Sequence, residues 1–109
     1  MLDRRARARH ELPEIDAAAL EAARAVEVLL AAATDRRAER WGRYFGPLPE
    51  RLRDGPVSGL RAAARTARAA YGPKDSVRDA LPEEVTEPLL ATIDRLLRVI
   101  ARWEARSAE

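Results

Sequence analysis

The sequence has no cysteine, which excludes disulfides, thiolate zinc sites and cysteine nucleophiles. Its one histidine, His10, lies near the start of the chain, so no helix can carry the Glu-x-x-His pair of a di-iron site. The few serines and threonines have no histidine or lysine placed beside them as a base. There is no glycine-rich phosphate loop, and no stretch approaches the roughly 18 apolar residues of a membrane span. Arginines at positions 4, 5, 7 and 9 open the chain, but no apolar run follows them, unlike a secretory leader. These gaps argue against a stand-alone enzyme, a cofactor, a bound metal or a membrane partner. They set the expected location as the cytoplasm.

What is present is charge, alanine and punctuation. The 109 residues are 47 % apolar and 35 % charged, with a formal net charge of only +2. That length suits one domain with one modest core. Lys74 is the only lysine and arginine supplies the rest of the positive charge. Gly-Pro pairs at Gly46-Pro47, Gly55-Pro56 and Gly72-Pro73 read as helix ends, where glycine can take the positive φ that closes a helix. Leu-Pro pairs at Leu12-Pro13, Leu48-Pro49 and Leu81-Pro82 read as helix starts, because proline is well tolerated in a first turn.

Between these marks everything reads as helix. Residues 1–12 form a basic N-terminal arm, expected to be flexible, and residues 13–109 form a single helical bundle domain. From about Pro13 to Phe45 runs the longest helical segment. Ile15, Ala19, Ala22, Val26, Leu29 and Ala33 repeat by four and three, the spacing of one buried face. Thr34-Asp35 could break this segment, since both residues favour caps. Pro56 to Tyr71 is the second main helix, with a face of Leu60, Ala63 or Ala64, Ala67 and Tyr71. Pro82 to Ala105 is the third, striped by Leu89, Ile93, Leu96, Ile100 and Trp103. Pro88 lies one turn too deep in it, which predicts a kink or a restart capped by Thr86.

The expected architecture is all-α: an up-down-up bundle of three main helices with one or two short connecting helices. At roughly 1.5 Å per residue the first helix would reach about 45 Å and the middle one only about 24 Å. The middle helix would then leave part of the first uncovered. Leu20, Val28 and Leu30 lie off its main buried face, so a helix so thinly polar needs cover on more than one side. Self-association through Ile15, Leu20, Val26, Val28 and Leu30 would complete the bundle, as a homodimer or larger assembly or with a helical protein partner.

Charge placement suggests a second kind of partner. Arg61, Arg65 and Arg68 repeat along the middle helix without an acid, and Glu83, Glu84 and Glu87 at the start of the last helix are their expected partners. In the up-down-up path Trp41, Tyr44 and Phe45 would meet Trp103 at one pole. Arg36, Arg37, Arg40, Arg43, Arg98 and Arg102 would surround them. Arginines interleaved with aromatics could hold single-stranded nucleic acid, charge for phosphates and rings for bases.

Two short motifs resemble those of enzymes. Arg5 and His10 have the Arg-x4-His spacing that resembles the ribonuclease motif of the all-α HEPN family. There the motif lies late in the bundle; here it precedes the first helix. Glu83, Glu84 and Glu87 are similar to the first metal motif of all-α NTP pyrophosphohydrolases, but the Glu-x-x-Asp that should follow is absent. Neither set is carried over as a site. The expected function is a non-catalytic interaction or oligomerisation module, with a nucleic-acid-binding small subunit of a ribonucleoprotein as the alternative.

Overall fold

The computed structural model describes residues 7–108. These form five α-helices, α1 (Pro13–Ala32), α2 (Glu39–Phe45), α3 (Leu48–Asp54), α4 (Val57–Ala69) and α5 (Glu83–Ser107). Two 3-10 turns, Arg9–Glu11 and Val77–Asp79, precede α1 and α5. No strand occurs among the described residues. Four helices, α1, α3, α4 and α5, pack together: α1 lies against α5 and α3, and α4 lies against the same two.

The long first helix of the sequence reading is divided. The chain leaves α1 at Ala33, and the Asp35 carboxylate accepts a 2.9 Å bond from the Ala38 amide, capping the turn that leads into α2. Ala38 is fully buried and anchors that turn. The break changes the topology. Glu14 pairs with Arg102 and Glu21 with Arg95, so α1 and α5 run antiparallel. Arg61 pairs with Glu104 and Arg68 with Asp94, so α4 is also antiparallel to α5. Helices α1 and α4 thus run in the same sense, and α2–α3 is the return leg between them. The expected three-helix up-down-up path is replaced by four legs, one of them built from two short helices.

The core is alanine-rich on the inner faces of α1 and α4. Ala18, Ala19, Ala22 and Ala23 of α1 and Ala63, Ala64 and Ala67 of α4 are fully buried, beside Leu89, Ile93 and Leu96 of α5. Phe45, Leu48 and Leu52 fill the space under α2 and α3. Helix α5 continues through Pro88 without the expected restart; Thr86, the proposed cap, is instead buried, and its carbonyl accepts the Tyr71 hydroxyl at 2.5 Å.

The helix-ending glycines work differently from expectation. No described glycine has a positive φ. Gly55 has φ −70° and ψ 154°, an extended geometry open to most residues, but a Cβ there would lie 2.2 Å from the Arg51 carbonyl oxygen. Closeness of approach, rather than backbone sign, demands glycine at this helix end.

Part of the predicted flexible arm is built into the fold. Residues 1–6 lie outside the described residues, but Arg9 is fixed. Its guanidinium donates to Asp16 at 2.7 Å and to the carbonyls of Leu52 at 2.7 Å and Gly55 at 3.0 Å. These carbonyls belong to the C-terminal end of α3, where a helix has acceptors without internal partners and a negative dipole end. Arg9 therefore caps α3 from the far end of the chain, and its side chain is only 15 % exposed.

Two substitutions test this packing. Arg9→Ala leaves buried carbonyls and Asp16 without their donor and should cost about 2–3 kcal/mol in denaturant unfolding. Ala22→Leu inserts three carbons into the buried face of α1; it should destabilise by about 1–3 kcal/mol, while the exposed control Ala91→Leu leaves the unfolding midpoint unchanged.

Candidate functional site

Helix α1 has one face that no other helix covers. At about 100° per residue, Ala17, Leu20, Arg24, Val28 and Ala31 fall within about 80° of one another, a single ridge. Val28 is 57 % exposed, the most open large apolar side chain among the described residues. Ala17, Arg24 and Ala31 are exposed and Leu20 is half-buried. The ridge is bounded by charges already engaged within the chain. On one flank Glu27 accepts a hydrogen bond from Arg53 of α3; on the other Glu21 pairs with Arg95 of α5 at 3.1 Å. Arg24 has no acidic partner within 4 Å among the described residues.

Of the five residues expected to form an oligomer interface, two have other roles. Ile15 is 2 % exposed and Val26 fully buried, so both belong to the chain's own core. Leu30 is half-buried and packs against that core. Leu20 and Val28 remain on the ridge. The reason is the return leg: α2–α3 covers much of the surface that a three-helix path would have left bare.

The expected arginine and aromatic pole is split between opposite ends of a molecule 51 Å long. Arg36, Arg37, Arg40, Trp41 and Arg43 gather at the α1–α2 corner, where Arg37 donates to the Asp79 carbonyl at 2.8 Å. Arg98 and Arg102 lie on the last turns of α5, where Arg102 meets Glu14 at the other end. Trp41 is only 4 % exposed, its ring covered by the Arg40 guanidinium at 4.5 Å and by Tyr44 edge-on at 5.5 Å. A ring so covered has no free face on which a base could stack. The Tyr44 hydroxyl donates to the Thr66 carbonyl at 2.6 Å.

Trp103 stands apart from the other aromatics, half-buried between two clefts. One, of about 470 Å³, is walled by Val57, Ser58, Arg65 and Ile100 and bridged by the Arg61–Glu104 ion pair. The other, of about 200 Å³, lies against Leu12, Pro13 and Ile15. Sequence reasoning gave no hint of either cleft, because both depend on the N-termini of α1 and α4 meeting the end of α5.

The α4 arginines have found acids other than those expected. Arg61 and Arg68 pair with Glu104 and Asp94, because α4 lies beside the body of α5. Glu87 takes Arg78 instead, in a two-pronged contact of 2.9 and 3.0 Å. Those hydrogen bonds hold the Glu87 carboxyl below its ordinary range and raise Arg78; the Arg53 contact lowers Glu27 in the same way. Glu83 and Glu84 stay exposed in the first turn of α5, where the helix dipole favours them. His10, of the Arg-x4-His spacing, is exposed in the first 3-10 turn, and Arg5 lies outside the described residues. Among the described residues no three metal-binding side chains come close enough to hold an ion, and no helix is long and apolar enough to cross a membrane.

Burial pushes the Tyr71 hydroxyl well above the ordinary phenol range, aided by the nearby Glu87 carboxylate and opposed by Arg78 and Arg68. The folded chain therefore holds this proton more tightly than the unfolded chain, so stability is complete below about pH 10 and falls as pH rises further. Tyr71→Phe should be about 1 kcal/mol less stable at neutral pH, having lost the bond to Thr86. It should lose less of its remaining stability than the parent between pH 10 and 11.5, as followed by denaturant unfolding. Comparison with protein-family models, with curated proteins and with solved structures finds no match to this chain.

Proposed function

We propose that this chain is a non-catalytic helical interaction module, a small cytoplasmic subunit or adaptor that self-associates through the outer ridge of α1. The observation that carries this reading is Val28. It is a large apolar residue, 57 % exposed, on a ridge whose other members are mostly apolar. The flanking glutamates are occupied by Arg53 and Arg95 of the same chain, so a partner meeting the ridge does not have to neutralise them. Soluble proteins expose scattered apolar residues without consequence; an ordered row of them along one helix is a more specific signal.

The test is light scattering across a range of protein concentrations, with absorbance recorded at 260 and 280 nm. The parent chain should exceed its 12.1 kDa monomer mass at high concentration. Val28→Asp should return it to the monomer without lowering its unfolding midpoint at concentrations where the parent is also monomeric, because Val28 contributes little to the chain's own core. A parent that stays monomeric at every concentration sinks the reading. Nucleic acid that co-elutes and is released by salt would instead speak for the arginines of the α1–α2 corner, through phosphate contacts.

A further inference from the structure

The two tryptophans differ in what surrounds their rings. Trp41 is covered by Arg40 and Tyr44. Among the described residues no aromatic ring or guanidinium lies over Trp103, and its indole N–H has no hydrogen-bond partner. A tryptophan that is half-buried usually finds a partner for that group. The larger of the two clefts beside it, about 470 Å³, has the size of a small-molecule site, roughly 300–1,000 Å³. Val57 and Ile100, both buried, form its apolar floor.

The charge on the walls of this cleft is unbalanced. Arg61 and Arg65 stand one turn apart on α4, and Glu104 is the one acid beside them among the described residues. Glu104 is already taken by Arg61. Arg65 is exposed and has no acidic partner within 4 Å among the described residues. The Ser58 hydroxyl on the same wall has no hydrogen-bond partner there either. The cleft therefore joins an uncovered ring and an apolar floor to one surplus positive charge.

We propose that this cleft binds a small organic anion, a flat apolar body carrying a single carboxylate. The body lies against Trp103, above Val57 and Ile100. The carboxylate meets Arg65, whose planar guanidinium matches two oxygens at once. One surplus positive charge selects a monoanion. A phosphate dianion would bring a second negative charge towards Glu104, the acid already on the wall. No residue of α1 lines the cleft, so the proposal stands apart from self-association through the α1 ridge.

The probe is anilinonaphthalene sulfonate, whose single negative charge stands in for the carboxylate. It is titrated by its own fluorescence, beside phenylnaphthylamine, the same aromatic body without the charge. The parent should bind the sulfonate at least about tenfold more tightly than the neutral probe, the fold-change of one charge-assisted hydrogen bond. Arg65→Ala should abolish that preference, whereas Arg24→Ala, which removes an arginine from α1, should keep it. Trp103→Leu should weaken both probes. Naphthoate should displace the bound sulfonate, and inorganic phosphate at the same concentration should not. The proposal is overturned by equal affinity for the two probes in the parent, by a preference that survives in Arg65→Ala, or by displacement with phosphate but not naphthoate. Absence of binding to the parent overturns it as well. Arg65 is exposed, so Arg65→Ala should unfold at the parent's midpoint, which separates loss of the site from loss of the fold.

Discussion

The fold depends on small side chains on the inner faces of α1 and α4 packing against the larger ones of α5 and α3. Ala18, Ala19, Ala22 and Ala23 keep the middle of α1's inner face small between Ile15 and Val26, and Ala63, Ala64 and Ala67 do the same for α4 beyond Leu60. Small side chains bury little area each, at about 25 cal/mol per Å², so such a bundle gains stability from tight contact along its length. The larger residues Leu89, Ile93 and Leu96 of α5 occupy the space that the alanines leave. The same economy explains why the outer face of α1 can remain modestly apolar: its inner face alone meets both neighbours.

Charge then fixes the register that alanine leaves loose. Flat alanine surfaces can slide, and the ion pairs Glu14–Arg102, Glu21–Arg95, Arg61–Glu104 and Arg68–Asp94 tie α1 and α4 to definite positions along α5. Each exposed pair contributes at most about 1 kcal/mol. Their value lies in direction and alignment. Arg9 is the exception, because it is largely enclosed and joins three separate segments through Asp16, Leu52 and Gly55.

The helical class and most of the core were legible from periodicity. Ile15, Ala19, Ala22, Val26 and Leu29 are buried as the four-and-three spacing requires, and so are Leu89, Ile93, Leu96 and Ile100. The path of the chain was harder to read, because Thr34-Asp35 looks the same locally whether it bends a helix or ends it. That one ambiguity moved Trp41 and its arginines to the opposite end from Trp103, and it moved Ile15 and Val26 from the expected oligomer interface into the chain's own core. The capping of α3 by Arg9 could not be read: two of its three partners are backbone carbonyls more than forty residues away, which leave no trace in side-chain identity. Leu20 and Val28, by contrast, stood off the periodic face in the sequence and still do in the structure.

The return leg has a further consequence. Helices α2 and α3 are seven residues each, well short of the length at which an isolated helix persists in water. They are ordered because Phe45, Leu48 and Leu52 are docked and because Arg9 holds the end of α3. The order of this leg therefore depends on its docking more than that of α1 or α5 does. Opening it would uncover the side of α1 against which α3 packs, so the chain carries, folded over on itself, a cover whose release would offer a second apolar surface.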